Sequence, residues 1–242
     1  MITRRHFSQV AVILSAAFAL KYFYSTASVN NLRWVLAPTT FLVEIITGIQ
    51  FRFESQAGYL SDDRTFLIAQ PCSGVNFLII AFVMLTFGAM WRERPKTLAW
   101  GSLLLAALAA YIATIAANTT RIALALKLRQ LDLERTPFDY EDIHRIEGII
   151  VYFVFLLLLF FASEKFGDRK IGFRHAPRAA MRRLSIPLIV YYVVTLGIPL
   201  ARGAFREAEF WNHALVVIVT PAVLLLPFVI VDVAKAFESK TT

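Results

Sequence analysis

Predominantly apolar runs, 16 to 20 residues long, recur along the whole of this sequence. A helix rises about 1.5 Å per residue, so runs of this length cross a hydrocarbon layer about 30 Å thick. Six segments reach spanning length once a residue or two of flank is counted: Phe7–Tyr24, Val75–Trp91, Leu98–Ala117, Gly148–Ser163, Leu184–Ala201 and Ala214–Val233. The chain is 17% charged and 58% apolar, whereas a soluble domain carries about 25% charge. A soluble globular enzyme is thereby excluded. The 21 Phe residues exclude a disordered chain as well. The expected fold class is all-α: a polytopic transmembrane helical bundle forming a single integral membrane domain over 1–242. It has about six spanning helices, one interfacial helix and a small extracytoplasmic hairpin.

The interfacial helix is Trp34–Ile49, where Pro38, Thr39, Thr40 and Glu44 interrupt the apolar run. Its large residues Trp34, Phe41, Leu42, Ile45 and Ile46 can share one helical face, which suits a helix lying in the headgroup plane. Loop charges support six spans rather than seven. The net charge is +8, and in a membrane protein such an excess reports topology before any nucleic-acid partner, because basic residues collect in cytoplasmic loops. Glu164–Arg183 carries seven basic and two acidic residues, and Arg92, Arg94 and Lys96 stand against Glu93. Both loops, with Arg4-Arg5-His6, read as cytoplasmic. The acidic stretch Glu134–Glu147 reads as external. With six spans both termini are cytoplasmic, and Ser25–Ser73 lies wholly outside. The first span has the basic start of a signal peptide but a longer apolar part, and is expected to be an uncleaved anchor. Within 48–69, Phe51-Arg52-Phe53-Glu54 alternates and Gly58 and Ser61-Asp62-Asp63 favour turns, so a hairpin leading into Cys72 is expected.

Three reactive side chains are placed on the external side by this topology: Cys72 before the second span, Arg121 after the third and His144 before the fourth. Cys72 is the only cysteine, so no intramolecular disulfide can form. It reads either as a small buried hydrophobe or as a nucleophile in the first turn of the second spanning helix, where the helix dipole favours an anion. Arg121 is followed by Ile122-Ala123-Leu124-Ala125-Leu126. It either snorkels to headgroups or, flanked by hydrocarbon, holds an oxyanion. Histidine can exchange a proton near neutral pH, so His144 is either an exposed loop residue or the base for Cys72. His6 and His175 lie in basic segments, and His213 is a reserve candidate. Asp62 and Asp63 either touch substrate or a cation or, more simply for a turn, are solvated, and Glu44 on the interfacial helix faces water; whether Asp62 or Glu147 shapes the site stays open. Asn76 and Asn118 are candidate substrate-binding residues. No HExxH, Walker, GxSxG or CxxC pattern is present, and no metal or other cofactor is expected. A transporter or assembly factor, a purely hydrolytic intramembrane protease and a lipid-modifying enzyme are the alternatives.

Pro71-Cys72-Ser73-Gly74-Val75-Asn76-Phe77, then Asn118-Thr119-Thr120-Arg121-Ile122, then His144 ahead of an apolar run, resemble in order and interval the exosortase/archaeosortase family. The resemblance covers roughly 30–165, and the wording of Ser73–Phe77 is most similar to K-type exosortases. It implies a membrane cysteine transpeptidase with Cys72, Arg121 and His144 as catalytic residues, in the inner membrane with its site facing the periplasm. The implied partners are membrane-anchored proteins bearing a C-terminal signal: a Pro-Glu-Pro-like motif, one transmembrane helix and a basic cluster. The implied acceptor is a lipid or glycan. The helical pair over 184–242 carries no motif of that family, and a role for Arg202–His213 in the site stays open.

Overall fold

A computed structural model describes residues 4–92, 98–129, 140–167, 177–201 and 203–241. The charged linkers used above to orient the chain, at 93–97, 130–139 and 168–176, lie outside the described residues, as do His175 and Arg202. The chain divides into two compact units, Met1–Tyr152 and Phe153–Thr242.

The first unit opens with α1 (Arg4–Thr26) and α2 (Arg33–Thr47). A small antiparallel sheet follows, formed by β1 (Phe51–Glu54), β2 (Gly58–Ser61) and β3 (Leu67–Ile68). Helices α3 (Val75–Arg92) and α4 (Trp100–Arg129) come next, then the start of α5 (Tyr140–Gly167). Helix α3 is apolar on every side, and Val75, Phe77, Ile79, Ile80, Ala81 and Met84 are all buried. A helix of that kind belongs inside a bundle. Against it α1 sets Ile13, which clusters with Met90, Leu98 and Leu103. Helix α4 buries Ala110, Thr114, Ala117 and Asn118, a line of small residues at helical spacing that lets a neighbouring backbone approach closely.

Helix α2 buries Val35, Leu36, Thr39, Thr40 and Val43, while Trp34, Phe41, Ile45 and Ile46 are exposed. Trp34, Phe41, Ile45 and Ile46 thus look outward, Leu42 is half-buried and Leu36 is fully buried. Pro38 lacks the N–H that would bond the Trp34 carbonyl. The Tyr111 hydroxyl of α4 donates to that carbonyl at 2.7 Å instead, and the Trp34 and Tyr111 rings stack. Gly48, with φ +74°, ends α2 by donating its N–H to the Glu44 carbonyl. The Glu44 side chain is not simply solvated: its Oε1 accepts the Phe51 N–H at 2.8 Å and so anchors the first strand. The sheet pairs Phe51 with Ser61 and Glu54 with Gly58, with β3 added on the far side of β2. The expected hairpin thus has a third strand. Its carboxylates are engaged locally, Asp62 with Arg52 at 2.8 Å and Asp63 with Ser61 and Thr65.

The second unit begins within α5 and continues through α6 (Pro177–Tyr192), a π-turn (Val193–Gly197), the short α7 (Ile198–Ala201) and α8 (Ala208–Thr241). Tyr191 packs edge-on against Phe153, and the Tyr192 hydroxyl donates to the Ile218 carbonyl at 3.0 Å.

Five helical stretches among the described residues are long and apolar enough to span a membrane: Phe7–Thr26, Gln70–Met90, Trp100–Arg129, Ile143–Lys165 and Ala208–Pro227. The protein is an all-α polytopic membrane protein. The sixth expected span, Leu184–Ala201, is a shorter apolar helix over Ser185–Ala201, interrupted by the π-turn. The third and fourth helices extend well past their expected external ends, to Arg129 and back to Tyr140.

Candidate active site

Cys72 does not lie in the first turn of α3. It sits one element earlier, in a 3₁₀ turn over Gln70–Ser73 that begins with Pro71 near its N-terminus. Gly74, at φ +69°, takes the left-handed conformation and redirects the chain into α3. A Cβ at Gly74 would come within 2.8 Å of Asn118 Nδ2, so the position needs glycine for both its backbone angle and its space. The result is a half-buried thiol carried on a tight turn, with its own carbonyl accepting a 2.5 Å hydrogen bond from Asn118 Nδ2.

Arg121 lies one turn beyond Asn118 on α4. Helical rise puts it roughly 31 Å from Trp100, at the far end of a spanning length. Of the apolar residues that follow it, Ile122, Ala123, Ala125 and Leu126 are buried within the protein, while Leu124 is exposed. His144 is a helical residue near the start of α5 rather than a loop residue, and its side chain is 34% exposed.

These residues form one connected set. Arg121 Nη2 is 3.2 Å from His144 Nε2. Arg121 Nη1 donates to the Tyr152 hydroxyl at 2.9 Å. That hydroxyl donates in turn to Asn118 Oδ1 at 2.6 Å, and the opposite end of the Asn118 amide holds the Cys72 carbonyl. A path of hydrogen bonds therefore runs from the imidazole through the guanidinium, a phenol and an amide to the backbone of the cysteine. The Tyr152 ring stacks on Phe77 of α3 at 5.2 Å, and the Arg121 guanidinium lies 5.5 Å from the ring's centroid. A Cβ at Gly148 would meet Arg121 Nε at 3.2 Å, so the absence of a side chain there lets Arg121 lie against α5. Tyr24 of α1 is within electrostatic reach of both Cys72 and Arg121, and Gln70 Nε2 donates to its carbonyl at 3.1 Å.

Of the residues singled out from sequence, Cys72, Asn118, Arg121 and His144 are brought together. Asn76 is exposed, and its Oδ1 accepts a 2.6 Å hydrogen bond from Lys21 Nζ rather than joining the path. Sequence reasoning missed Tyr152 and Tyr24. Tyr152 had a readable signal: His144, Gly148 and Tyr152 recur at intervals of four on α5 and so share a face, as Asn118 and Arg121 do on α4. Tyr24 carried no such signal, because α1 meets the site only through tertiary packing.

No curated protein and no solved structure matches this chain. The sequence model of the family described as transmembrane exosortase (Exosortase_EpsH) matches residues 2–161, a stretch that includes every residue of the connected set. The chain belongs to the transmembrane exosortase family.

Proposed function

We propose that this protein is a membrane cysteine transpeptidase that removes the C-terminal sorting signal of membrane-anchored proteins and passes them to an acceptor in the envelope. The observation that carries the reading is the hydrogen-bonded path joining His144, Arg121, Tyr152 and Asn118 to the Cys72 carbonyl. Residues far apart in sequence, on three elements, would have little reason to converge with these chemistries in a passive bundle.

In this reading the Cys72 thiol gives its proton to His144, and the sulfur attacks the carbonyl carbon at the signal's cleavage point. Negative charge gathers on the carbonyl oxygen, where the Arg121 guanidinium stabilises it. Collapse of the tetrahedral adduct breaks the C–N bond, and the proton held by His144 goes to the departing amine. A thioester on Cys72 remains. A hydroxyl or amine of a lipid or glycan acceptor then attacks it, His144 takes that nucleophile's proton, and the thiol is restored. The site faces the periplasm, both termini are cytoplasmic, and the bilayer holds substrate and enzyme in one plane.

The test is coexpression with a reporter that ends in a Pro-Glu-Pro motif, one transmembrane helix and a basic cluster. Wild-type protein is expected to shorten the reporter and leave an added group on its new C-terminus by mass spectrometry. Cys72→Ala is expected to leave it uncut. A free carboxylate on the product would instead indicate a hydrolytic protease. Cleavage by Cys72→Ala would remove the nucleophile from the account.

A further inference from the structure

Glu147 is a buried carboxylate in a helix long and apolar enough to span a membrane. It is 5% exposed, and neither side-chain oxygen has a hydrogen-bond partner among the described residues. Burying a carboxylate is unfavourable unless a cation or a hydrogen-bond donor compensates it. Arg121 lies within its electrostatic reach. His144 Nδ1, one turn earlier on α5, lies 3.2 Å from Glu147 Oε2. That separation is within ion-pair range, although the angle is not that of a hydrogen bond.

The other side of the ring fixes which nitrogen carries the proton. Arg121 Nη2 stands 3.2 Å from His144 Nε2. A guanidinium can only donate, so Nε2 must offer its lone pair. The proton of the neutral ring is then on Nδ1, the nitrogen that faces Glu147. We propose that Glu147 is a positioning residue for His144: its carboxylate holds the Nδ1–H tautomer and offsets the Arg121 charge, so that Nε2 can accept and return a proton once Arg121 Nη2 has left it for the substrate's carbonyl oxygen. Without the carboxylate, an imidazolium at His144 would face Arg121 as one cation against another, which disfavours its formation. A carboxylate that orients a histidine and stabilises its charged form is the role the third member plays in hydrolase triads. The proposal rests on reading His144 as the acid–base group.

The test uses the full chain in lipid bilayers with ¹⁵N-labelled histidine, the His144 signals being assigned by their loss in His144→Gln. The neutral ring is expected to be protonated at Nδ1. That proton is expected to be strongly deshielded in wild type and in Glu147→Asp, and to move upfield in Glu147→Gln. A His144 protonated at Nε2, or an Nδ1 proton that Glu147→Gln leaves in place, would overturn the proposal. This readout needs no substrate, so absent reporter cleavage with the expected spectra would sink the transpeptidase reading and leave the positioning role standing. On the reporter, Glu147→Gln is expected to lower kcat by about 10²-fold and to leave KM within about twofold. Glu147→Asp, which keeps the charge, is expected to recover most of that loss. Equal losses in both variants, or a loss confined to KM, would contradict the role. Should Glu147→Gln fail to fold, the deshielding of the Nδ1 proton in wild type and in Glu147→Asp still decides the matter: an Nδ1 proton without it would overturn the role.

Discussion

Arg121 depends on two supports: space at Gly148 and the hydroxyl of Tyr152. Tyr152→Phe keeps the ring on Phe77 but breaks the link between Arg121 and Asn118. A hydrogen bond to a charged group is worth about 1.5–3 kcal/mol, so reporter cleavage is expected to fall by roughly 10- to 100-fold. The drop should appear in kcat at nearly constant KM, measured by quantifying shortened reporter over time. At Gly74 two costs combine, the left-handed φ and the 2.8 Å approach to Asn118. Gly48 has a similar φ but nothing within 4 Å of the added atom. Gly48→Ala is therefore expected to cost about 1 kcal/mol, and Gly74→Ala distinctly more. Thermal unfolding of the two variants in detergent checks that order. The same contrast explains what could be read in advance. Cys72, Arg121 and His144 can be singled out as candidates from residue type and position. The spacing of His144, Gly148 and Tyr152 puts them on one face of α5, but which helix that face meets, and so what Gly148 and Tyr152 touch, is not carried by a spacing on one helix.

Elements were legible wherever one periodicity governs them. Helix α2 exposes Trp34, Phe41, Ile45 and Ile46, and the alternating Phe51–Glu54 segment is a strand. Boundaries were less legible. The sequence reading ends the third span at Ala117, because Asn118-Thr119-Thr120-Arg121 looks like an exit from the membrane. The helix instead runs on to Arg129, because Asn118 and Arg121 find protein partners and have no need of water. The Arg129 guanidinium then reaches the Thr65 carbonyl, tying the end of α4 to the turn after β2. That turn depends on Asp63, whose carboxyl is held below the usual range by hydrogen bonds from the Ser61 hydroxyl, then the Thr65 amide and hydroxyl. Its folded pKa is depressed, so its contribution is complete above the unfolded value of about 3.9 and is lost as pH falls through the folded value. Protection of the Thr65 amide in hydrogen exchange is expected to decline over that acid window in wild type. Asp63→Asn should show lower protection with no such pH dependence.

On the scale of the whole chain, the apolar runs made the class unmistakable, since backbone buried in lipid must satisfy its own hydrogen bonds and helices do so. The broken helix over Ser185–Ala201 was not foreseen, because apolar composition says nothing about a π-turn. The proposed topology, with both termini cytoplasmic and 25–73 outside, predicts that a cysteine placed at Ser55 in a Cys72→Ala background reacts with an impermeant maleimide in intact cells. One placed at Ser239 should react only after permeabilisation; the reverse pattern would invert the topology. The central claim is that Cys72 carries the substrate as a thioester. Its most direct test is mass spectrometry of wild-type protein quenched in acid during reporter processing. The prediction is a Cys72 peptide bearing the reporter's acyl fragment, released by hydroxylamine and absent from Cys72→Ala. Continued processing with Cys72 unmodified throughout would contradict the account.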